Sequence, residues 1–235
     1  MIEYDTVSFA YGDTPVLDSV STTIDDGEFV VLVGPNGSGK TTLLRHANGL
    51  LAPDSGTVRV NGRAVDANVV AARAAVGMVF QHPRDQFVAA TVGSDVAFGP
   101  ENLGLDRAEI DDRVERALEA VSLQARATAR IDELSGGEQA RVAIAGVLAM
   151  EPTHLVLDEP FTGLDRPSRQ SVHAQLRALS RDGTSIVVST HAPGSVVDLA
   201  DRIVVMEDGR LVHDGTPDEL PDPSLSDVFD AGSVG

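Results

Sequence analysis

The chain has 235 residues, 42 % of them hydrophobic, enough for one large α/β domain or two small ones around a sizeable core. No apolar run approaches the length of a membrane span, the longest (Val142 to Met150) being broken by Gly146, and the acidic start Met1-Ile2-Glu3-Tyr4-Asp5 is unlike a secretory leader; the expected compartment is the cytosol. A formal net charge of −18, from 36 acidic against 18 basic residues, excludes bulk nucleic-acid binding, which needs a basic footprint.

Residues 1–27 alternate apolar and polar between turn signals at Tyr11-Gly12-Asp13 and Asp26-Gly27, which predicts short, mostly antiparallel strands. Phe29-Val30-Val31-Leu32-Val33 is a continuous β-branched run, the pattern of a strand buried on both faces. It leads directly into Gly34-Pro35-Asn36-Gly37-Ser38-Gly39-Lys40-Thr41, which fits the phosphate-loop pattern G-x-x-x-x-G-K-[ST], and Thr41 to Gly49 then reads as a helix. Further strands are predicted at Val58 to Val60 and Val76 to Phe80. Between residues 83 and 150 the character changes to helical, with Ile110, Val114, Leu118 and Val121 on one face of a helix from Asp106 to Ser122 and another helix from Gly137 to Met150. Strands return at His154 to Leu157, Ser185 to Ser189 and Arg202 to Val205, with a helix from Pro167 to Arg181 between the first two. Arg210 to His213 follows Asp208-Gly209 as a hairpin strand. The pattern is that of one α/β domain over residues 1–220 with a helical lobe at about 83–150 inserted in it, followed by a mobile acidic tail from Pro221.

Lys40 is the only lysine; every other member of the Lys/Arg set is arginine. A loop wrapped around a β/γ-phosphate calls for a compact ammonium, and a planar guanidinium is too wide. Gly34, Gly37 and Gly39 are expected to allow positive φ and close approach of backbone N–H groups to phosphate, with the positive end of the following helix behind them. Thr41 is placed to offer its hydroxyl to Mg²⁺. Leu155-Val156-Leu157-Asp158-Glu159 is an apolar strand ending in two acids, which sets carboxylates at the C-terminal edge of a parallel sheet; Asp158 suits Mg²⁺ held through water and Glu159 suits activation of a water. In Leu134-Ser135-Gly136-Gly137-Glu138, the Ser135 to Glu138 spacing fits a capping box, and the adjacent glycines leave N–H groups that a phosphate could approach. The aspartate excess and loss of lysine elsewhere read as adaptation of the surface to high salt.

With the phosphate loop, the Leu-Ser-Gly-Gly segment, the acidic strand end and a downstream histidine in this order, the chain resembles the ATP-binding subunits of ABC transporters over nearly its whole length. The resemblance implies a P-loop NTPase core with an N-terminal antiparallel β subdomain and an inserted helical subdomain. It implies ATP contacts from Gly34, Asn36, Gly37, Ser38, Gly39, Lys40, Thr41 and Thr42, with Tyr11 stacking on adenine. It implies that Gln81 touches Mg²⁺ and the lytic water, that Glu159 is the base, and that His191 contacts the γ-phosphate. Two subunits of such a family pack head to tail, so Ser135, Gly136 and Gly137 of one chain and its Asp165, in the Gly163-Leu164-Asp165 segment, would serve the neighbouring site. A second ATPase subunit, identical or not, is therefore an expected partner, and each site is composite.

Phe80-Gln81-His82-Pro83-Arg84-Asp85-Gln86-Phe87 and Asp95-Val96-Ala97-Phe98-Gly99 are similar to segments of energy-coupling-factor transporter ATPases, which serve uptake of cobalt, nickel or vitamins such as biotin. That narrower resemblance implies an integral-membrane transport subunit, a membrane substrate-capture subunit and a peripheral place on the cytoplasmic face of the membrane. The sequence departs from the pattern at His82, at Ala192 after His191, at Arg166 and in ending soon after residue 220. The stretch between Gln81 and Leu134 is too short for the coiled-coil insertion of repair ATPases of this kind.

Overall fold

The computed structural model describes residues 1–219. In chain order it forms β1 (Ile2–Tyr11), β2 (Thr14–Ile24), β3 (Phe29–Val33), α1 (Lys40–Ala47), β4 (Ser55–Val60), β5 (Arg63–Ala64), α2 (Val69–Ala75) and β6 (Val76–Val79). These are followed by α3 (Val92–Asn102), α4 (Arg107–Ala120), α5 (Gly136–Leu148), β7 (His154–Asp158), α6 (Arg166–Arg181), β8 (Ser185–Thr190), β9 (Arg202–Glu207) and β10 (Arg210–Gly215). The mobile tail expected from Pro221 lies outside the described residues.

Two sheets result. The antiparallel one has the order β2-β1-β4-β5 and the larger one the order β10-β9-β3-β8-β7-β6. In the larger sheet β3, β6, β7, β8 and β9 run parallel and only the edge strand β10 is antiparallel. Strand pleating explains why β3, β7 and β8 need continuous apolar runs. Phe29, Val31, Val33, Leu155, Leu157, Ile186 and Val188 face one core with α5 and α6. Val30, Leu32, Val156 and Val187, one residue out of phase, face a second core shared with α1 and the antiparallel sheet. Each fully buried side chain of this kind contributes about 1.5–3 kcal/mol, so a polar residue tolerated in these strands needs a specific partner.

Three sequence expectations are corrected. The N-terminal strands are long rather than short, 10 and 11 residues; register shifts around Val7 and positive φ at Thr6 and Ser19 break the alternation seen in the sequence without ending the pairing. Helix α3 escaped the periodicity reading because Gly93, Gly99 and Pro100 lie inside it. Helix α2 escaped it because it is short and alanine-rich, with Asn68 capping it through the Ala71 N–H at 3.0 Å. Among the described residues no helix is long and apolar enough to cross a membrane.

Candidate functional site

Parallel strands deliver their C-terminal ends to one edge of the sheet. After β3 the chain enters the glycine loop and then α1, whose N-terminal cap is Gly39 at φ +104°. Gly37 at φ +86° also takes the left-handed conformation, but Gly34 does not. Gly34 is required for a different reason: a Cβ there would stand 2.3 Å from the Met206 carbonyl oxygen of β9. The expectation of positive φ at Gly34 is therefore replaced by one of close backbone approach.

Lys40 is only 6 % exposed. Its Nζ donates to the carbonyls of Gly34 at 2.7 Å and Pro35 at 3.1 Å and lies 3.9 Å from Glu159 Oε1. Burial pulls its pKa below the ordinary lysine value, while the charges of Glu159 and Asp158 pull it back up. The ammonium thus stays inside the loop it would use to bind a phosphate. The buried Ser38 hydroxyl has no hydrogen-bond partner among the described residues. An unpaired buried hydroxyl costs about 1–3 kcal/mol, which an anionic acceptor in the loop would recover. The residues present fit a phosphate.

Asp158, at the end of β7, is buried. Its Oδ1 accepts from Thr41 Oγ1 at 3.0 Å and from Ser189 Oγ at 2.6 Å. A hydroxyl and a carboxylate so joined suit Mg²⁺, which takes one or two protein oxygens and otherwise waters and phosphate oxygens. Glu159 follows in a left-handed conformation, φ +49°, a strain of order 1–3 kcal/mol for a side-chain-bearing residue. Its N–H donates to the Ser189 carbonyl at 3.1 Å, and Thr162 N–H donates to the Glu159 carbonyl at 3.1 Å, so both ends of the peptide are held. Its Oε1 accepts from His191 Nδ1 at 2.9 Å. The carboxylate therefore lies between a buried ammonium and a half-exposed imidazole.

A cleft of about 380 Å³ collects Tyr11, Asn36, Gly37, Gly39, Lys40, Thr41, Thr42, Gln81 and Glu159. Tyr11, 45 % exposed, ends β1 with its ring edge-on to Phe9, centroids 4.9 Å apart, leaving a ring face available for a base. Gln81 enters from the loop after β6. Val16 also lines the cleft, and no sequence signal marked it. Ser189, likewise unanticipated, had a faint signal: a hydroxyl near the end of an apolar strand needs a buried acceptor, which here is Asp158.

A family model described as ABC transporter matches residues 17–162. The chain belongs to the ABC transporter family. This ABC protein is 61 % identical over 219 residues to an ABC transporter ATP-binding protein of Halobacterium salinarum, covering 92 % of this chain and 94 % of the relative, in keeping with a salt-adapted surface. It is 43 % identical over 224 residues to an energy-coupling factor transporter ATP-binding protein of Methanothermobacter thermautotrophicus, covering 94 % of this chain and 72 % of the relative. The structure of CbiO1 from Clostridium perfringens, part of the ABC transporter complex CbiONQ, superposes with a TM-score of 0.87 at 35 % identity, over 93 % of this chain and 89 % of that one. ATP binding and ATPase activity go with this family.

The remaining residues expected at the site lie elsewhere in this ABC ATPase. Ser135 caps α5 in a complete capping box: its N–H and hydroxyl both donate to Glu138 Oε2 at 2.9 Å, and Glu138 N–H donates back to Ser135 Oγ at 3.3 Å. Gly137 packs against α6, where a Cβ would meet Ser168 at 2.4 Å. Asp165 caps α6, accepting from the Ser168 N–H at 2.9 Å, and its hydrogen bonds with Ser168 hold its pKa below the usual carboxylate value. Neither Ser135-Gly136-Gly137 nor Asp165 lines the cleft around Lys40. Within one chain these residues stay out of that cleft, although Gly136 lines a neighbouring groove that Gln81 also reaches.

Proposed function

We propose that the chain powers an importer of the energy-coupling-factor type through ATP-driven closing and opening of a two-subunit assembly. The observation that carries the reading is the convergence of Lys40, Thr41, Asp158, Glu159 and His191 on one sheet edge, while Ser135, Gly136, Gly137 and Asp165 stand outside that cleft. A second subunit, identical or related, would present those outlying residues to the nucleotide. The N-terminal amides of α5 suit a phosphate, and the Ser135 hydroxyl would join them by turning from Glu138.

In this reading Tyr11 stacks on adenine, and the loop amides with Asn36, Ser38, Lys40 and Thr42 hold the triphosphate. Thr41 and Gln81 would hold Mg²⁺ directly and Asp158 would hold it through water; the ion supplies charge neutralisation at the transferring phosphate. Glu159 takes the proton from the attacking water as its oxygen bonds to the γ-phosphorus and ADP leaves. His191 Nδ1 orients that carboxylate, leaving the other ring nitrogen for the γ-phosphate. Loss of the bridging phosphate lets the subunits part. The partners are an integral-membrane transport subunit and a membrane substrate-capture subunit, with this chain peripheral on the cytoplasmic face. The cargo class is a transition-metal ion such as cobalt or nickel, or a vitamin such as biotin.

Glu159→Gln tests the reading. Phosphate release should fall by about 10²–10⁴-fold, the usual contribution of a general base, while ATP still binds and an ATP-dependent dimer persists in size exclusion. Wild-type turnover in this variant would remove Glu159 from the role and the reading with it.

A further inference from the structure

The loop carrying Gln81 is tied down at one point and linked outward at another. Gln86 Oε1 accepts the Phe80 N–H at 3.0 Å, which closes residues 80–86 into one unit. From the turn Pro83–Gln86 within it, Arg84 Nε donates across to Gln139 Oε1 on α5 at 2.9 Å. Gln139 is 4 % exposed, and its Nε2 donates to the Ile131 carbonyl at 3.0 Å and the Leu134 carbonyl at 3.2 Å. The amide cannot be turned over, because its NH₂ would then face the guanidinium and its oxygen two carbonyls. Leu134 is the residue immediately before Ser135. Three hydrogen bonds therefore connect the Gln81 loop to the entry of the Ser135-Gly136-Gly137 segment.

The surroundings leave room for this linkage to move. Gln81, Arg84, Gly136, Gln139, Gly163 and Leu164 all line one groove of about 350 Å³. Arg84 is exposed on the loop and supplies the one hydrogen bond to Gln139 Oε1 among the described residues. A shift of Gln81 carries Arg84 with it, and the buried amide passes the shift to two carbonyls of the turn Ile131–Glu133 and its exit.

We propose that Arg84 is a positioning residue that couples the Gln81 loop to the Ser135-Gly136-Gly137 segment of the same chain through Gln139. The inference rests on the reading of Gln81 as a nucleotide-facing residue. In a two-subunit assembly with composite sites, this segment serves the neighbouring nucleotide, so the linkage joins one ATP site to the other.

The test is amide hydrogen exchange followed by mass spectrometry on the full Glu159→Gln chain, with and without ATP and Mg²⁺, diluted below the dissociation constant of its ATP-dependent dimer until sedimentation velocity shows the monomer. In the monomer no neighbouring nucleotide touches residues 131–138, so any response there is internal. ATP should alter exchange at 131–138 as well as protect the phosphate loop. Adding Arg84→Leu should shrink the response at 131–138 by at least about five-fold, the lower end of ordinary coupling strengths, and leave phosphate-loop protection intact. Arg84→Lys, which restores a donor, should recover most of it. As a second measurement, in the Glu159-containing chain Arg84→Leu should lower the Hill coefficient of ATP hydrolysis toward 1. An unchanged response in Arg84→Leu, or none at 131–138 despite a protected phosphate loop, overturns the coupling alone. Failure of ATP to protect the phosphate loop overturns the nucleotide-site reading beneath it.

Discussion

Lys40→Arg keeps the positive charge and changes only its shape. Nζ is seated between the Gly34 and Pro35 carbonyls at 2.7 and 3.1 Å, 6 % exposed, with Glu159 Oε1 at 3.9 Å. A guanidinium puts three nitrogens where one ammonium fits. The loop has little slack to receive them: Gly34 is pressed against the Met206 carbonyl, and a Cβ at Gly39 would already stand 2.9 Å from Leu17. Overfilling a packed site costs about 1–3 kcal/mol. If that strain falls on the nucleotide-bound loop, ATP binding weakens by about 5- to 150-fold. The assay is phosphate release as a function of ATP concentration, with nucleotide affinity measured by calorimetry and folding checked by thermal melting. Because Lys40 is the only lysine, an acylating reagent directed at ε-amines adds an independent readout: one side-chain adduct in the wild type, suppressed by ATP, and none in the variant. A variant with wild-type affinity and turnover would refute the argument that the site selects a compact ammonium.

Tyr11→Ala should raise the KM for ATP by about 5- to 150-fold, the equivalent of losing 1–3 kcal/mol of base stacking, with kcat little changed, while Tyr11→Phe behaves as wild type. His154 is fully buried at the start of β7; burial first, then the amino group of Met1, push its pKa from 6.5 to about 4. The unfolded chain therefore binds the extra proton between those values. This contribution to stability is complete above pH 6.5 and is lost as pH falls toward 4, by about 3 kcal/mol. Urea titrations should show a shallower acid-side slope for His154→Gln than for wild type, and equal slopes would discount the histidine. Thermal melts should rise from dilute buffer to molar KCl, since counterions screen a net charge of −18; identical melts in both would remove salt adaptation.

Legibility from sequence followed how local each feature is. The β3 run and the glycine loop were plain because a doubly buried strand admits only apolar residues and the phosphate loop has fixed spacing. The capping box at Ser135 was plain for the same reason, three residues apart. Bulges near Thr6 and Ser19 were not, because a register shift shows only against the partner strand. The need for glycine at position 34 depends on Met206, far along the chain in β9. Ser189, which orients Asp158, and Gln139, which meets Arg84, lie 31 and 55 residues from their partners, beyond any periodicity argument.

Charge sets the nucleotide site against the rest of the molecule. A triphosphate must approach a chain of formal net charge −18, and the aspartates that keep the surface hydrated repel it at long range. At contact the balance would reverse: in the proposed site loop amides, the start of α1 and Lys40 would face the anion, while Asp158 and Glu159 are already engaged by Thr41, Ser189, His191 and Lys40. Salt separates the two ranges. The screening length is about 10 Å at 0.1 M and about 3 Å at 1 M, so molar KCl removes the distant repulsion but barely reaches a buried ammonium. ATP association should therefore quicken as salt rises, the opposite of an encounter steered by a basic cleft. The same separation explains the composition. Exposed cations are free to become arginine, but the one seated between the Gly34 and Pro35 carbonyls is held to the shape of a lysine.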